Sequence, residues 1–350
     1  MIVNELAGRV GLKLVFIASM LIFAGAASAA GGDADLLKEA KQTFGSLPKV
    51  FSSDKNPVTP AKVELGRALF YETRVSVDGT VSCVRCHPFA LYAADGLKKS
   101  VGHDGKVNPR NAPTILNTAG QISAHWIGNR ESVEDQAKQA LMGPPSFGMP
   151  SYQAAEAKLK EIKGYAPLFE KAFPGEKDPI TADNFAKAVG AFERTLVTPS
   201  RFDAYLGGSK TALGEPEKKG LKRFMDTGCV GCHSGPCVGG QMYQKFGLSE
   251  PYWEQTGSKE MDEGRFTVTK EEKDKYFFKV PQLRNVEMTS PYFHDGSVPH
   301  LRDAVSIMGK VQLGLTLTDE QTGEIVLFLK SLTGQIPEKF LKIPVLPPSE

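Results

Sequence analysis

The sequence is short of the residues that carry most metal and disulfide chemistry, with five cysteines and six histidines in 350 residues. So few cysteines exclude a disulfide-stapled scaffold, which packs them far more densely. No basic tract occurs and the net charge is +2, which excludes nucleic acid and anionic membrane surfaces as partners. Long apolar runs are missing too. Leu14 to Ala24 falls short of the ~20 residues that cross a bilayer, and no later stretch is long and apolar enough, so stable membrane insertion is not expected.

The scarce cysteines are not scattered. Four of the five fall into two copies of one pattern, Cys83-Val84-Arg85-Cys86-His87 and Cys229-Val230-Gly231-Cys232-His233. C-x-x-C-H is the attachment signature of a c-type haem. Two thiols three residues apart reach the two vinyl groups on one porphyrin edge. The histidine that follows then lies under the iron and supplies an axial imidazole. Half a zinc site or a thioredoxin-like pair would share the C-x-x-C part. Zinc needs four ligands per ion, and no second C-x-x-C lies near either motif.

Residues 1–29 read as a secretory signal peptide. Arg9 and Lys13 form the basic region, Leu14 to Ala24 the apolar core and Ala27-Ser28-Ala29 the small-residue cleavage site. The alternative is an uncleaved anchor helix. No cysteine adjoins the cleavage site, which argues against a lipoprotein. Export to the periplasm fits covalent haem attachment, which bacteria carry out beyond the cytoplasmic membrane. Residues 30–350 would be the mature chain, with a net charge of +1 once Glu5, Arg9 and Lys13 are removed.

That length predicts two domains. Residues 34–46 read as an amphipathic helix. A helix over 59–70 follows an irregular arm, with Thr59 as N-cap and Pro60 in the first turn. A polar loop then leads to the first haem motif. The second half repeats the plan with a short helix over 215–224, a loop and the second motif. Each half closes on a helix, 181–196 and 318–332, in which Phe185, Val189, Phe192 and Leu196, or Ile325, Phe328, Leu329 and Leu332, share one face. Thirty-five glycines and twenty-three prolines predict many turns. The expected fold is therefore all-α and loop-rich, with two cytochrome c-like haem domains. They span 30–200 and 201–350, and residues 30–58 form an arm that packs on the second domain.

Each motif supplies one axial ligand, and the other comes from elsewhere, usually His or Met. His103, His125, His294 and His300 remain. His103 sits in Ser-Val-Gly-His-Asp-Gly, a loop able to carry an imidazole over the first haem and away again; it also reads as a solvated loop histidine. For the second haem Met242, Met261, Met288 and Met308 lie downstream. Met308 follows the helical stretch 301–307 and precedes Gly309, a plausible helix end aimed into a pocket.

Further blocks carry a resemblance: Pro109 to Thr114 (Pro-Arg-Asn-Ala-Pro-Thr), Val280 to Val286 (Val-Pro-Gln-Leu-Arg-Asn-Val), Pro291 to Ser297 (Pro-Tyr-Phe-His-Asp-Gly-Ser) and Met308 to Gly314 (Met-Gly-Lys-Val-Gln-Leu-Gly). With the haem motifs, in this order, the chain resembles the bacterial di-haem cytochrome c peroxidases. The resemblance implies that His87 and His103 bracket a low-potential haem where hydrogen peroxide is reduced. It implies that His233 and Met308 bracket a high-potential haem. That haem takes electrons from a small cytochrome c or cupredoxin. Trp126 matches the tryptophan between the haems; otherwise it is a core aromatic. Asn111, Thr289 and Pro291 match the holders of one interdomain calcium ion, whose preference for hard oxygen ligands they satisfy; otherwise they form a turn without an ion. Gln136 matches a distal-pocket glutamine. Family members are commonly homodimers.

One position departs from the pattern. The family carries a distal glutamate that moves a proton between the peroxide oxygens. Here Ser146 or Gly148, depending on the alignment anchor, takes its place, and the nearest glutamates are Glu134 and Glu156. Another group then moves the proton, or the peroxidase is weak, or the protein is a di-haem electron-transfer or peroxide-sensing cytochrome. The tryptophylquinone-forming di-haem enzyme is a more distant relative, but it has tyrosine in place of the methionine ligand, and Met308 argues against that role. Cys237, the fifth cysteine, is either buried beside the haem or joins two subunits.

Overall fold

The computed structural model describes residues 32–350, so the segment read as a signal peptide, with its cleavage site, lies outside the described residues. Helix α1 covers residues 32–44. Helices α2 (Pro60–Tyr71), α3 (Val133–Ala140), α4 (Tyr152–Glu161), α5 (Ala166–Ala172) and α6 (Ala182–Glu193) enclose a first apolar core. Next come α7 (Arg201–Leu206), α8 (Glu215–Asp226), α9 (Tyr252–Thr256), α10 (Phe266–Thr269), α11 (Leu301–Leu313), α12 (Asp319–Ser331) and α13 (Glu338–Leu341). A second core lies mainly among α1, α7, α8 and α12.

Local chemistry starts each principal helix. The Thr59 hydroxyl accepts from the Lys62 N–H (3.3 Å) and Pro60 opens α2. Thr181 accepts from the Asn184 N–H (3.1 Å), and Thr318 and Gln321 form a reciprocal cap on α12. The two halves then pack alike. In the first, α6 crosses α2 at Gly66, where an added Cβ would meet the Ala188 carbonyl oxygen at 1.9 Å. In the second, α12 crosses α8 at Gly220, where a Cβ would meet the Glu324 carbonyl oxygen at 2.0 Å. Glycine at each crossing lets the backbones touch. The apolar faces read from sequence on the two closing helices are buried.

The chain's flanks cross over. Ala40 and Phe44 of α1 belong to the second core, with Phe44 edge-on to Phe202 at 5.2 Å. Asp33 pairs with Lys218 at 3.2 Å. From the other side, Phe340 of α13 enters the first core, 5.9 Å from Phe89 and 5.7 Å from Phe192. Beyond it, the carbonyls of Pro348 and Ser349 accept from the N–H groups of Gly164 and Lys163. Arg74 donates to Pro347 O at 2.8 Å.

Two local readings need correction. The fold is not purely helical: β1 (Tyr243–Lys245) pairs antiparallel with β2 (Phe277–Lys279) in a small ribbon. And Met308 is not at a helix end. Helix α11 runs on to Leu313 and stops at Gly314, in the left-handed region at φ 66°. Gly309 stays helical because the returning chain packs on it; a Cβ there would lie 2.9 Å from Leu317. Its glycine answers to a close neighbour, not to a cap.

Candidate functional site

Both haem motifs adopt the same compact turn. Cys83–Arg85 and Cys229–Gly231 are single 3₁₀ turns. The N–H groups of His87 and His233 close them onto the Cys83 and Cys229 carbonyls at 3.1 and 2.9 Å. His87 Nδ1 lies 3.1 Å from the Ala93 carbonyl. A carbonyl can only accept, so Nδ1 carries the proton and Nε2 keeps a free lone pair, the tautomer an axial ligand needs. Burial lowers the His87 pKa and takes that of His233 down to about 4, although the Pro281 and Val238 carbonyls oppose this at His233. Both imidazoles are therefore neutral donors.

A cavity of about 240 Å³ opens beside the second motif, lined by Cys229, Cys232, His233 and, from α11, Met308. The two thiols, the imidazole and the thioether all line it, a donor set that fits a haem c with His/Met ligation. Lys279 also lines it. This lysine is buried, and burial pulls its pKa down to about 7. Its ammonium donates to the neutral Gln121 amide, and no carboxylate pairs with it among the described residues. A haem propionate is the anion such a cation lacks. Residues at the first motif fit the same group through Cys83, Cys86 and the His87 tautomer.

His103 is buried in a 3₁₀ turn, His103–Gly105. The loop is tied to the motif by Arg85, whose Nε donates to Val101 O at 2.7 Å. It is tied to the 143–148 turn by Asn108, which reaches Pro145 O at 3.4 Å. His103 Nε2 lies 3.4 Å from Lys106 Nζ, and Nδ1 is 3.9 Å from Asp78. Gln136 stands on α3, partly exposed.

Trp126 links the halves. Its Nε1 donates to Asn111 O at 2.9 Å, its carbonyl accepts from the Lys279 N–H at 2.7 Å, and its ring lies edge-on to His294 at 6.5 Å. Asn111, Thr289 and Pro291 line the same cavity as Trp126. Asn111 Nδ2 donates to Leu97 O at 2.8 Å, which turns its amide oxygen to other use. Cys237 is buried, 1 % exposed, with Sγ 3.5 Å from Asn117 O; it is not placed to join two subunits.

The two glutamates nearest the missing carboxylate are committed elsewhere. Glu134 takes a two-pronged ion pair from Arg194 at 2.7 and 2.9 Å, and Glu156 accepts the Ala182 N–H at 2.8 Å. Segment 139–149 folds as a turn through Ser146 and Gly148 N–H bonds to Gly143 O. Sequence reasoning named His125 only as one of four leftover histidines and passed over Lys279. His125 had a signal, its place beside Trp126; burial of Lys279 had none.

The profile described as di-haem cytochrome c peroxidase matches residues 60–211. The chain is 40% identical over 296 residues to the cytochrome c551 peroxidase of Nitrosomonas europaea, covering 83% of this chain and 86% of that one. It is 41% identical over 314 residues to the cytochrome c551 peroxidase of Pseudomonas aeruginosa, covering 89% of each. Among solved structures it is similar to a MauG-like protein associated with microbial copper homeostasis. That similarity has a TM-score of 0.75 at 28% identity, over 85% of this chain and 97% of that one.

Proposed function

The chain belongs to the di-haem cytochrome c peroxidase family, and on that premise we propose that it reduces hydrogen peroxide to water in the periplasm. The electrons come from a small cytochrome c or cupredoxin. Haem c bound at both motifs supplies redox-active iron at two potentials. His233 and Met308 hold the electron-accepting group, and His87 with His103 the one where peroxide is reduced. The ordering follows from ligand chemistry, since a thioether favours ferrous iron more than a second imidazole does.

The chain's own residues do the rest. The Ala93 carbonyl fixes the His87 tautomer. Helix α11 holds Met308 on a rigid element. Trp126, bonded to Asn111 and Lys279, couples the two halves. The His103 loop, tied to the motif by Arg85 and to the 143–148 turn by Asn108, would withdraw to admit peroxide beside the first motif. One calcium ion, held by the Asn111 amide and the carbonyls of Thr289 and Pro291, steadies the seam between halves. The working form is a homodimer.

The observation that carries this reading is that His233, Met308 and Trp126 all line one cavity. Peroxide turnover by half-reduced holoprotein with added calcium tests it. Rapid turnover sustains the peroxidase. A second reading, an electron-transfer or peroxide-sensing cytochrome, draws on the commitment of Glu134 and Glu156 to other partners. It predicts no turnover with His103 still bound.

A further inference from the structure

Two buried arginines have their charges answered. Arg284 donates to Asp203 at 2.7 and 2.8 Å, and Arg194 to Glu134 at 2.7 and 2.9 Å. Lys279 is buried as well, 6 % exposed. Among the described residues its ammonium has one partner, the neutral amide oxygen of Gln121. An ammonium has three protons to donate, and its charge is costly to bury unless an anion meets it.

The backbone places this cation on the cavity of the second motif. The Lys279 N–H donates to Trp126 O at 2.7 Å, and Tyr243 faces the residue across the ribbon. The Val280 N–H donates to Met242 O, and the Val280 carbonyl accepts from the Gly240 N–H, both at 2.9 Å. One residue further on, the Pro281 carbonyl reaches the His233 ring: a Cβ built on Gly239 would lie 2.5 Å from that oxygen and 3.1 Å from His233 Nδ1. The segment that carries Lys279 therefore continues along the wall behind the axial imidazole. Lys279, Gln121, His233 and Met308 all line one cavity, and no aspartate or glutamate lines it. Arg284 lines it too, but Asp203 takes up that charge. One positive charge on this wall is left without an anion.

We propose that Lys279 sets the potential of the second haem, its ammonium meeting a propionate there and favouring the ferrous form. The inference rests on the reading of Cys229, Cys232, His233 and Met308 as the seat of a haem c. Reduction adds one negative charge to the group in the cavity. A fixed positive charge on the wall stabilises the reduced form more than the oxidised one, and it offsets a propionate, which does the reverse. A unit charge beside a redox group, at the effective dielectric of a protein site, moves the equilibrium by about tenfold. The Met308 thioether raises the potential from the axial side, and Lys279 adds to it from the wall. The link to Trp126 runs through the Lys279 backbone, so the side chain can be changed with that link kept.

The test is potentiometric titration, followed by absorbance, of holoprotein carrying Lys279→Gln, Lys279→Arg or Gln121→Glu. Glutamine keeps hydrogen-bonding groups and drops the charge. In Lys279→Gln the reduction equilibrium of the second haem is expected to move about tenfold toward ferric, ~59 mV lower for one electron. Lys279→Arg keeps the charge and should stay within about threefold of wild type. Gln121→Glu leaves the lysine in place but gives it a carboxylate within the chain, and should shift the potential in the same direction as Lys279→Gln. An equilibrium within about twofold of wild type in Lys279→Gln would overturn the proposal. Should that variant fail to take up haem, the same result in Gln121→Glu would overturn it. A Lys279→Arg protein that falls as far as Lys279→Gln would overturn it too, because it marks a packing role. The absorbance band of methionine-ligated ferric haem, read in the same samples, tests the axial pair separately. If wild type lacks that band, the His233 and Met308 pairing fails, and the shift between wild type and Lys279→Gln still decides for or against Lys279.

Discussion

Gly148 lies against the His103 imidazole: a Cβ built on Gly148 would sit 2.1 Å from His103 Nε2. The backbone there is left-handed, φ 67°. So at one of the two positions where a distal carboxylate is expected, the Nε2 edge of the His103 ring leaves no room for a side chain.

Gly148→Ala should therefore push His103 out. The backbone strain costs about 1 kcal/mol or more, and the clash adds to it. The ferric holoprotein is expected to lose low-spin signal from its first haem and gain high-spin signal in the electron paramagnetic resonance spectrum. His103→Gly should do the same and give peroxide turnover without prior reduction. A Gly148→Ala protein with its low-spin signal intact would show that His103 holds its place by other means.

Met308 sits in the middle of α11, so its replacement can be read without losing the helix. Met308→His should lower the potential of the second haem, because imidazole favours ferric iron more than a thioether does. Potentiometric titration followed by absorbance gives the value. Turnover with a high-potential donor should fall in step.

Removing Phe340 tests the crossed packing. Phe340→Ala takes a ring from between Phe89 and Phe192, at a cost of about 3–5 kcal/mol. The melting temperature should fall, and the first haem's spectrum should be disturbed more than the second's. Equal effects on both would mean that the two cores unfold as one.

The Arg194–Glu134 pair sets an acid limit. Burial raises the Glu134 pKa, but hydrogen bonds from Arg194 and Asn56 and the charge of Arg194 outweigh it and leave it below the usual 4.5. A lowered carboxylate stabilises the fold above its unfolded pKa, and that stability is lost as pH falls through the folded value. Arg194→Ala should cost about 3–5 kcal/mol at neutral pH, and the gap from wild type should shrink toward pH 3. Glu193, pushed up to about 8 by burial and then by Glu134, has the opposite sign: its cost grows as pH rises from about 4.5 to 8. Melting curves across pH for wild type and Arg194→Ala separate the two.

Calcium removal should favour the closed first site. A chelator, or Asn111→Ala, is expected to keep His103 bound in the half-reduced protein and depress turnover several-fold, with calcium restoring only the wild type. Turnover indifferent to the chelator would remove the ion from the scheme.

What the sequence disclosed was local. The starts of α2, α6 and α12 were readable because Thr59, Thr181 and Thr318 cap their own helices within three residues. The haem motifs were readable because porphyrin geometry fixes their spacing. What stayed hidden depends on partners far along the chain. Gly309 looks like a helix stop until Leu317 is seen packed on it. Glu134 looks available for catalysis until Arg194 and Asn56 are seen to hold it. His125 looks like any leftover histidine until its bond to Asn129 fixes the ring tautomer.

The exchange of flanking segments has a consequence for the order of synthesis. A ribosome makes the first haem motif well before it makes Phe340, which closes the wall behind Phe89. It makes α1 well before Phe202 and Phe328, against which Phe44 rests. The nascent first half therefore waits unsealed until the second motif has been made. The wall behind the first motif is thus the last part of the first core to close, while the second core has its flank, α1, in hand from the start.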